Sequence, residues 1–207
     1  WQQWTLSERQ HLNPGSPGAP LFRLRLRPAQ GAALRWHPGD VLEVQVNPPP
    51  DAPEDSPPLA PRSYTIASLP QHGYIELVVR QRWSAGKHAL PQLGPGSGWL
   101  TQHAPLTSLL SVRRLANPAP PLDPNKPWIL LGAGSGIAGV LAQLHARAQG
   151  PHSEGCWVIF GERDAQADLP YADLLANWQR QGMISRLDKT FSQLPRKPNG
   201  PCYVQDI

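Results

Sequence analysis

The chain has 207 residues and a mass of 22.7 kDa, enough for one large domain or two of about 100 residues each. Hydrophobic residues make up 40% and charged residues 16%, which excludes a highly charged disordered tail and a coiled coil. The net charge of +4 is scattered rather than gathered in a block, which suits small anionic ligands and argues against a nucleic-acid partner.

At the start, Trp1-Gln2-Gln3-Trp4 offers neither a basic opening nor an apolar signal core, and no stretch reaches the roughly eighteen apolar residues of a spanning helix. The expectation is a soluble, cytoplasmic chain with no membrane segment and no targeting segment of its own. From Leu21 the run alternates, with Phe22, Leu24 and Leu26 on one face and Arg23, Arg25 and Arg27 on the other, as in a half-buried strand. The same period returns in Val41-Leu42-Glu43-Val44-Gln45-Val46 and in Tyr74-Ile75-Glu76-Leu77-Val78-Val79-Arg80. Short strands of this kind predict an all-β antiparallel barrel or sandwich. Between them Asn47 to Pro61 holds seven prolines and three acidic residues, the composition of a surface loop.

Beyond Asn117 come Pro118, Pro120, Pro121, Pro124 and Pro127, a stiff connector. It sets the predicted boundary, with one domain over 1–121 and a second over 122–207. Trp128-Ile129-Leu130-Leu131 is a continuous apolar run, of the sort buried on both faces of a parallel sheet. A glycine turn, Gly132 to Gly136, follows, and then Ile137, Val140, Leu141, Leu144 and Ala148 at helical spacing. Cys156 to Phe160 predicts a second strand, Tyr171 to Gln181 a second helix, and Ile184 to Leu187 a third strand. Alternating strand and helix argue an α/β doubly wound parallel sheet. Cys156 and Cys202 form no CxxC, and no His/Cys cluster stands at metal spacing, so no metal site is expected.

Three segments carry chemistry. Gly132, Gly134 and Gly136 after a buried strand let backbone N–H groups face a phosphate, although the spacing is short of the full G-x-G-x-x-G fingerprint and equally fits a tight turn that binds nothing. In Arg62-Ser63-Tyr64-Thr65, alternation puts Arg62 and Tyr64 on one face. There an Arg can hold a pyrophosphate and a Tyr can lie against a flat heterocycle, or the pair can be a solvent-facing Arg beside a half-buried Tyr. Gly94-Pro95-Gly96-Ser97-Gly98-Trp99-Leu100 reads as a second phosphate cradle or as an ordinary loop with a buried Trp99.

Together and in this order, the three segments resemble the ferredoxin–NADP reductase superfamily, and within it the diflavin branch of sulfite reductase flavoproteins and cytochrome P450 reductases. The resemblance runs from about Leu21 to Asp206. It implies FAD and NADPH as cofactors. Arg62 falls where the family binds the FAD pyrophosphate, Tyr64 where it covers the isoalloxazine, and Thr65 near flavin N5, a hydrogen-bonding tuner at the reacting centre. Gly94, Gly96, Ser97 and Trp99 match its FAD phosphate loop. Gly132, Gly134, Ser135 and Gly136 match its NADPH turn, Arg163 its strand-end Gly-x-Arg, and Ser192, Tyr203 and Gln205 its 2′-phosphate and adenine segments. The family's Arg after that Ser is Gln193 here, with Arg196 and Lys197 as the replacement cations. The family's last strand and C-terminal aromatic have no counterpart before Ile207, so the resemblance implies a second domain incomplete at its C-terminus. The implied activity is an NADPH-dependent flavoprotein oxidoreductase that passes electrons through FAD to an FMN-binding, flavodoxin-like domain or partner. The alternatives are a flavin-binding module without efficient hydride transfer and an NADH-dependent flavin reductase.

Overall fold

The computed structural model describes residues 1–46, 59–84, 92–150, 155–193 and 203–207. In chain order the first unit holds β1 (Gln2–His11), β2 (Leu21–Pro28), β3 (Val41–Val44), β4 (Arg62–Thr65), β5 (Ile75–Arg80), β6 (Trp83–Ser84), β7 (Gln92–Leu93), the one-turn helix α1 (Pro95–Gly98) and β8 (Leu109–Leu115). Six of these strands form one antiparallel sheet in the order β4-β3-β8-β1-β2-β5, while β6 and β7 make a separate ribbon. A lone bridge between Ile66 and Leu77 brings the two ends of the sheet together and curls it into a barrel.

The alternating residues fill its interior. Leu24, Leu26, Leu42 and Val44 are buried together, and the arginines of β2 point away from them. Each such side chain removed from water contributes about 1.5–3 kcal/mol. β1 and β8 have no counterpart among the expected strands. β1 buries Trp4 and Leu6, and a bulge between Leu6 and Glu8 shifts its register against β2. β8 buries Leu110 and Val112 in the same core.

The second unit runs β9 (Trp128–Ala133), α2 (Ile137–Arg147), β10 (Cys156–Glu162), α3 (Ala172–Arg180) and β11 (Ile184–Phe191). Its strands are parallel, in the order β11-β10-β9. Ile137, Val140, Leu141 and Leu144 of α2 and Leu175 and Trp178 of α3 share one core with Val158 and Phe160 of β10. Among the described residues no helix is long and apolar enough to cross a membrane.

Two strands depart from their expected burial, in opposite senses. β5 is predicted half-buried, yet Ile75 to Val79 are all buried. Ile75, Leu77 and Val79 face the barrel interior, and the other face lies under the second unit, where Val78 joins the α/β core with Leu21 and Ala67. β9 is predicted to be buried on both faces, but Ile129 is 60% and Leu131 56% exposed. Both helices feed the core on one side of this sheet, and β9 is its edge, so the alternate side chains of β9 meet solvent.

Polar groups stitch the units along this seam. The Tyr171 hydroxyl donates to Glu76 Oε1 at 3.0 Å, and Arg25 Nε donates to Glu76 Oε2 at 2.9 Å. Asp168, fully buried, accepts from Asn13 Nδ2 at 2.8 Å and Ser16 Oγ at 2.7 Å. A run of edge-to-face rings, His72, His145 and Trp178, with centroids 4.6 and 5.0 Å apart, crosses from barrel to α2 to α3.

Candidate functional site

A cleft of about 400 Å³ opens on the barrel beside β4. It is lined by Arg62, Ser63, Tyr64, Arg80, Arg82, the 94–97 loop and Ser135. Alternation along β4 sets Arg62 and Tyr64 side by side against Gly96. A Cβ at Gly96 would lie 2.5 Å from Arg62 Cγ and 3.2 Å from Tyr64 Oη, so only glycine permits this approach. Burial pushes the Tyr64 hydroxyl up to about 12 against the opposing pull of Arg62, so the ring stays neutral. Ser97 Oγ accepts the Arg82 backbone N–H at 2.9 Å, which leaves the hydroxyl proton available to donate. Thr101 holds the loop from behind by donating to the Ser97 carbonyl at 2.6 Å and accepting from Gln81 Nε2 at 2.8 Å.

Two expected site residues lie elsewhere. Trp99 leans on the barrel core rather than lining the cleft. Thr65, on the other face of β4 from Tyr64, points its methyl at α2, 3.8 Å from where a Cβ of Gly139 would lie, and does not line the cleft.

A second cleft, of about 320 Å³, sits at the carboxyl ends of the parallel strands. Its lining includes Arg80, Gly134, Glu162, Arg163, Thr190, Ser192, Tyr203 and Gln205. Gly134 takes φ 56, which glycine adopts without strain, at the turn into α2. Gly132 stands behind the turn, where a Cβ would press on Val140 at 3.0 Å. Gly136 has open space around it, and Ser135 faces the barrel cleft. The Arg163 side chain crosses Gly18, a close approach that a larger residue at 18 would block, since its Cβ would lie 2.9 Å from Arg163 Cδ. The Ser192 N–H donates to the Glu162 carbonyl at 2.9 Å and ties the end of β11 to that of β10. The structure therefore gathers Arg163, Ser192, Tyr203 and Gln205 in one place. Arg196 and Lys197 lie outside the described residues.

The chain's sequence gave no warning of Arg80, Glu162 or Thr190. Arg80 lines both clefts and donates to the Ala19 carbonyl at 2.8 Å and to Glu162 Oε1, across the seam. The available signal was strand alternation, which puts Arg80 on the same outward face of β5 as Glu76 and Val78. Burial, with Asp168 nearby, holds the Glu162 carboxyl above the usual carboxylate range although Arg80 and the Arg163 N–H oppose it. The Thr190 hydroxyl is buried, lines the second cleft and has no hydrogen-bond partner among the described residues. A buried hydroxyl left unpaired costs about 1–3 kcal/mol, which a polar group in the cleft would relieve.

An antiparallel barrel with one cleft, set against a parallel α/β sheet with a second and a guanidinium between them, defines a two-unit class of fold. No family model matches the chain. It is 31% identical over 160 residues to the inducible nitric oxide synthase of Oryctolagus cuniculus, covering 72% of this chain and 32% of that protein. It is 32% identical over 163 residues to a self-sufficient cytochrome P450 monooxygenase of Exserohilum turcicum, covering 72% of this chain and 15% of that one. The chain thus spans a third or less of these curated relatives. Among solved structures, a ferredoxin–NADP+ reductase from Plasmodium falciparum with 2′P-AMP superposes with a TM-score of 0.77 at 15% identity, over 99% of this chain and 77% of that one, a likeness of fold. The chain belongs to the ferredoxin–NADP reductase superfamily, on its diflavin reductase branch.

Proposed function

We propose that the chain is an FAD- and NADPH-binding reductase module of a flavoprotein oxidoreductase, with its flavin domain over 1–121 and its nucleotide domain over 122–207. The observation that carries this reading is the placement of the two clefts on either side of Arg80, which lets a ligand in one reach a ligand in the other. When bound, NADPH supplies a hydride and FAD accepts it and passes electrons on singly. The residues of the chain bind and orient. The Gly96 cradle accommodates a flat ring at Tyr64 while Arg62 and Ser97 offer charge and a hydroxyl donor to the FAD diphosphate. The turn at Gly134, the N-terminus of α2 and the Arg80 guanidinium face the diphosphate of the nucleotide. Arg163, Ser192, Tyr203 and Gln205 take its 2′-phosphoadenosine end. Thr65, turned to α2 on the other face of β4, is assigned to holding that strand at the seam rather than to contact with the flavin. The electrons pass to an FMN-binding, flavodoxin-like domain or protein, in the cytoplasm.

The test is the visible spectrum of the FAD-loaded chain on anaerobic addition of NADPH and of NADH. Bleaching by NADPH is the expected result. Bleaching by NADH alone, or a chain that takes up no FAD, overturns the assignment. Gly96→Ala displaces Arg62 and weakens FAD by about tenfold, the equivalent of 1.4 kcal/mol.

A further inference from the structure

The Arg80–Glu162 pair has a role that the binding reading alone leaves open. Arg80 comes from the barrel and Glu162 from the end of β10, and their side chains are 16% and 3% exposed. A buried ion pair is stabilising only while both partners stay in place, and removing one strands the other. Arg80 also lies against the turn, since a Cβ on Gly134 would be 3.4 Å from its Nη2 and 3.5 Å from its Nε. A dinucleotide that spans both clefts must pass this point with its middle, the diphosphate. One guanidinium therefore has two anions within reach, the carboxylate of the chain and the diphosphate of the ligand.

We propose, on the reading given above, that Glu162 is an internal competitor for Arg80: the diphosphate takes the guanidinium over and Glu162 takes up one proton from solvent. The charged groups facing Glu162 are Arg80 from β5 and Asp168 from the connection after β10, and the polar groups nearest it are the Arg163 N–H and, on β11, Thr190. Asp168 is fixed by hydrogen bonds from Asn13, Ser16 and the Asp164 N–H and, being an acid itself, cannot replace the Arg80 cation. A carboxyl already held above its usual range by burial, and then deprived of its cation, moves further up, in the direction of taking up a proton. The nucleotide-bound state holds more protons than the free state, so affinity rises as pH falls.

Titration calorimetry of the FAD-loaded chain, in two buffers of different ionisation enthalpy near pH 7, counts protons taken up per ligand. The probes are NADP+ and adenosine 2′-phosphate. Both carry the titrating 2′-phosphate, and only NADP+ carries the diphosphate. Up to one more proton is taken up with NADP+ than with adenosine 2′-phosphate by the parent chain, and this excess vanishes in Glu162→Gln, which binds NADP+ about three- to tenfold tighter because the competitor is gone. The double variant Arg80→Ala/Glu162→Gln removes the pair without stranding a buried charge. It loses the excess proton and binds NADP+ more weakly than Glu162→Gln does, with adenosine 2′-phosphate unchanged. A parent chain with no excess proton, or a Glu162→Gln chain that keeps it, overturns the competition and leaves the reductase reading intact. A parent chain that binds neither probe overturns both.

Discussion

β5 and β9 are six-residue strands rich in aliphatic side chains, and they meet opposite fates. β5 lies at one end of the barrel sheet, where half of its side chains would face water, but the α/β unit packs on that face and buries it. β9 belongs to the type of sheet that is ordinarily covered on both sides, yet α2 and α3 cover one side and Ile129 and Leu131 stand open. What covers a strand is set by the neighbour the fold delivers, not by the strand's own composition. The functional consequence lies on β5. Its outward face carries Glu76, Val78 and Arg80 in succession, a structural ion pair, an apolar plug and the guanidinium between the clefts.

If β5 is the true seam, Val78→Asp brings an unpaired charge into the shared core and lowers stability by about 3 kcal/mol or more, read as the midpoint of a urea titration. The polar end of the seam is worth less. Tyr171→Phe deprives Glu76 of one donor and lowers stability by about 1–2 kcal/mol in the same assay, and a loss near zero would mean that this hydrogen bond adds nothing to the seam.

The His72–His145–Trp178 ring cluster makes the seam pH-dependent. Burial lowers the His145 pKa from 6.5 to about 4, with His72 adding to the shift, and burial also lowers that of His72. A His whose folded pKa is depressed leaves the unfolded chain holding more protons, so stability is full above pH 6.5 and falls as pH drops toward 4. His72 also feels Glu76, which favours its charge, and Arg25, which opposes it. Thermal melts from pH 7 to pH 4 record this slope, and His145→Leu flattens it. A slope unchanged in that variant would assign it to the carboxylates instead. The smallest effect is expected on β9, where Ile129→Thr changes stability by less than about 0.5 kcal/mol, because the side chain is already in water. A loss as large as that of Val78→Asp would erase the contrast between the two strands.

Most of the two clefts was legible in advance. The period-two runs became β2, β3 and β5, and the strand, glycine turn and helix became β9, the Gly134 turn and α2. Arg62, Tyr64, Gly96 and Ser97 lie together as their spacing suggested, because alternation on one strand and a loop lacking Cβ atoms are local properties. β1 passed unnoticed since its polar residues dilute a pattern that rests on Trp4 and Leu6. Thr65 and Trp99 look like site residues by position, but Thr65 is turned to α2 and Trp99 to the barrel core.

The sequence by itself determined the strand and helix periods, the glycine turns and much of the lining of the two clefts, because each depends on side chains within a few positions of one another. Only the tertiary structure decided which strand faces are covered and that the two clefts share Arg80. It also paired Arg80 with Glu162, 82 positions away, and left Thr190 without a hydrogen-bond partner among the described residues. Those are contacts between units, and a side chain's burial and charge depend on whatever the fold brings across from it, which no local pattern encodes.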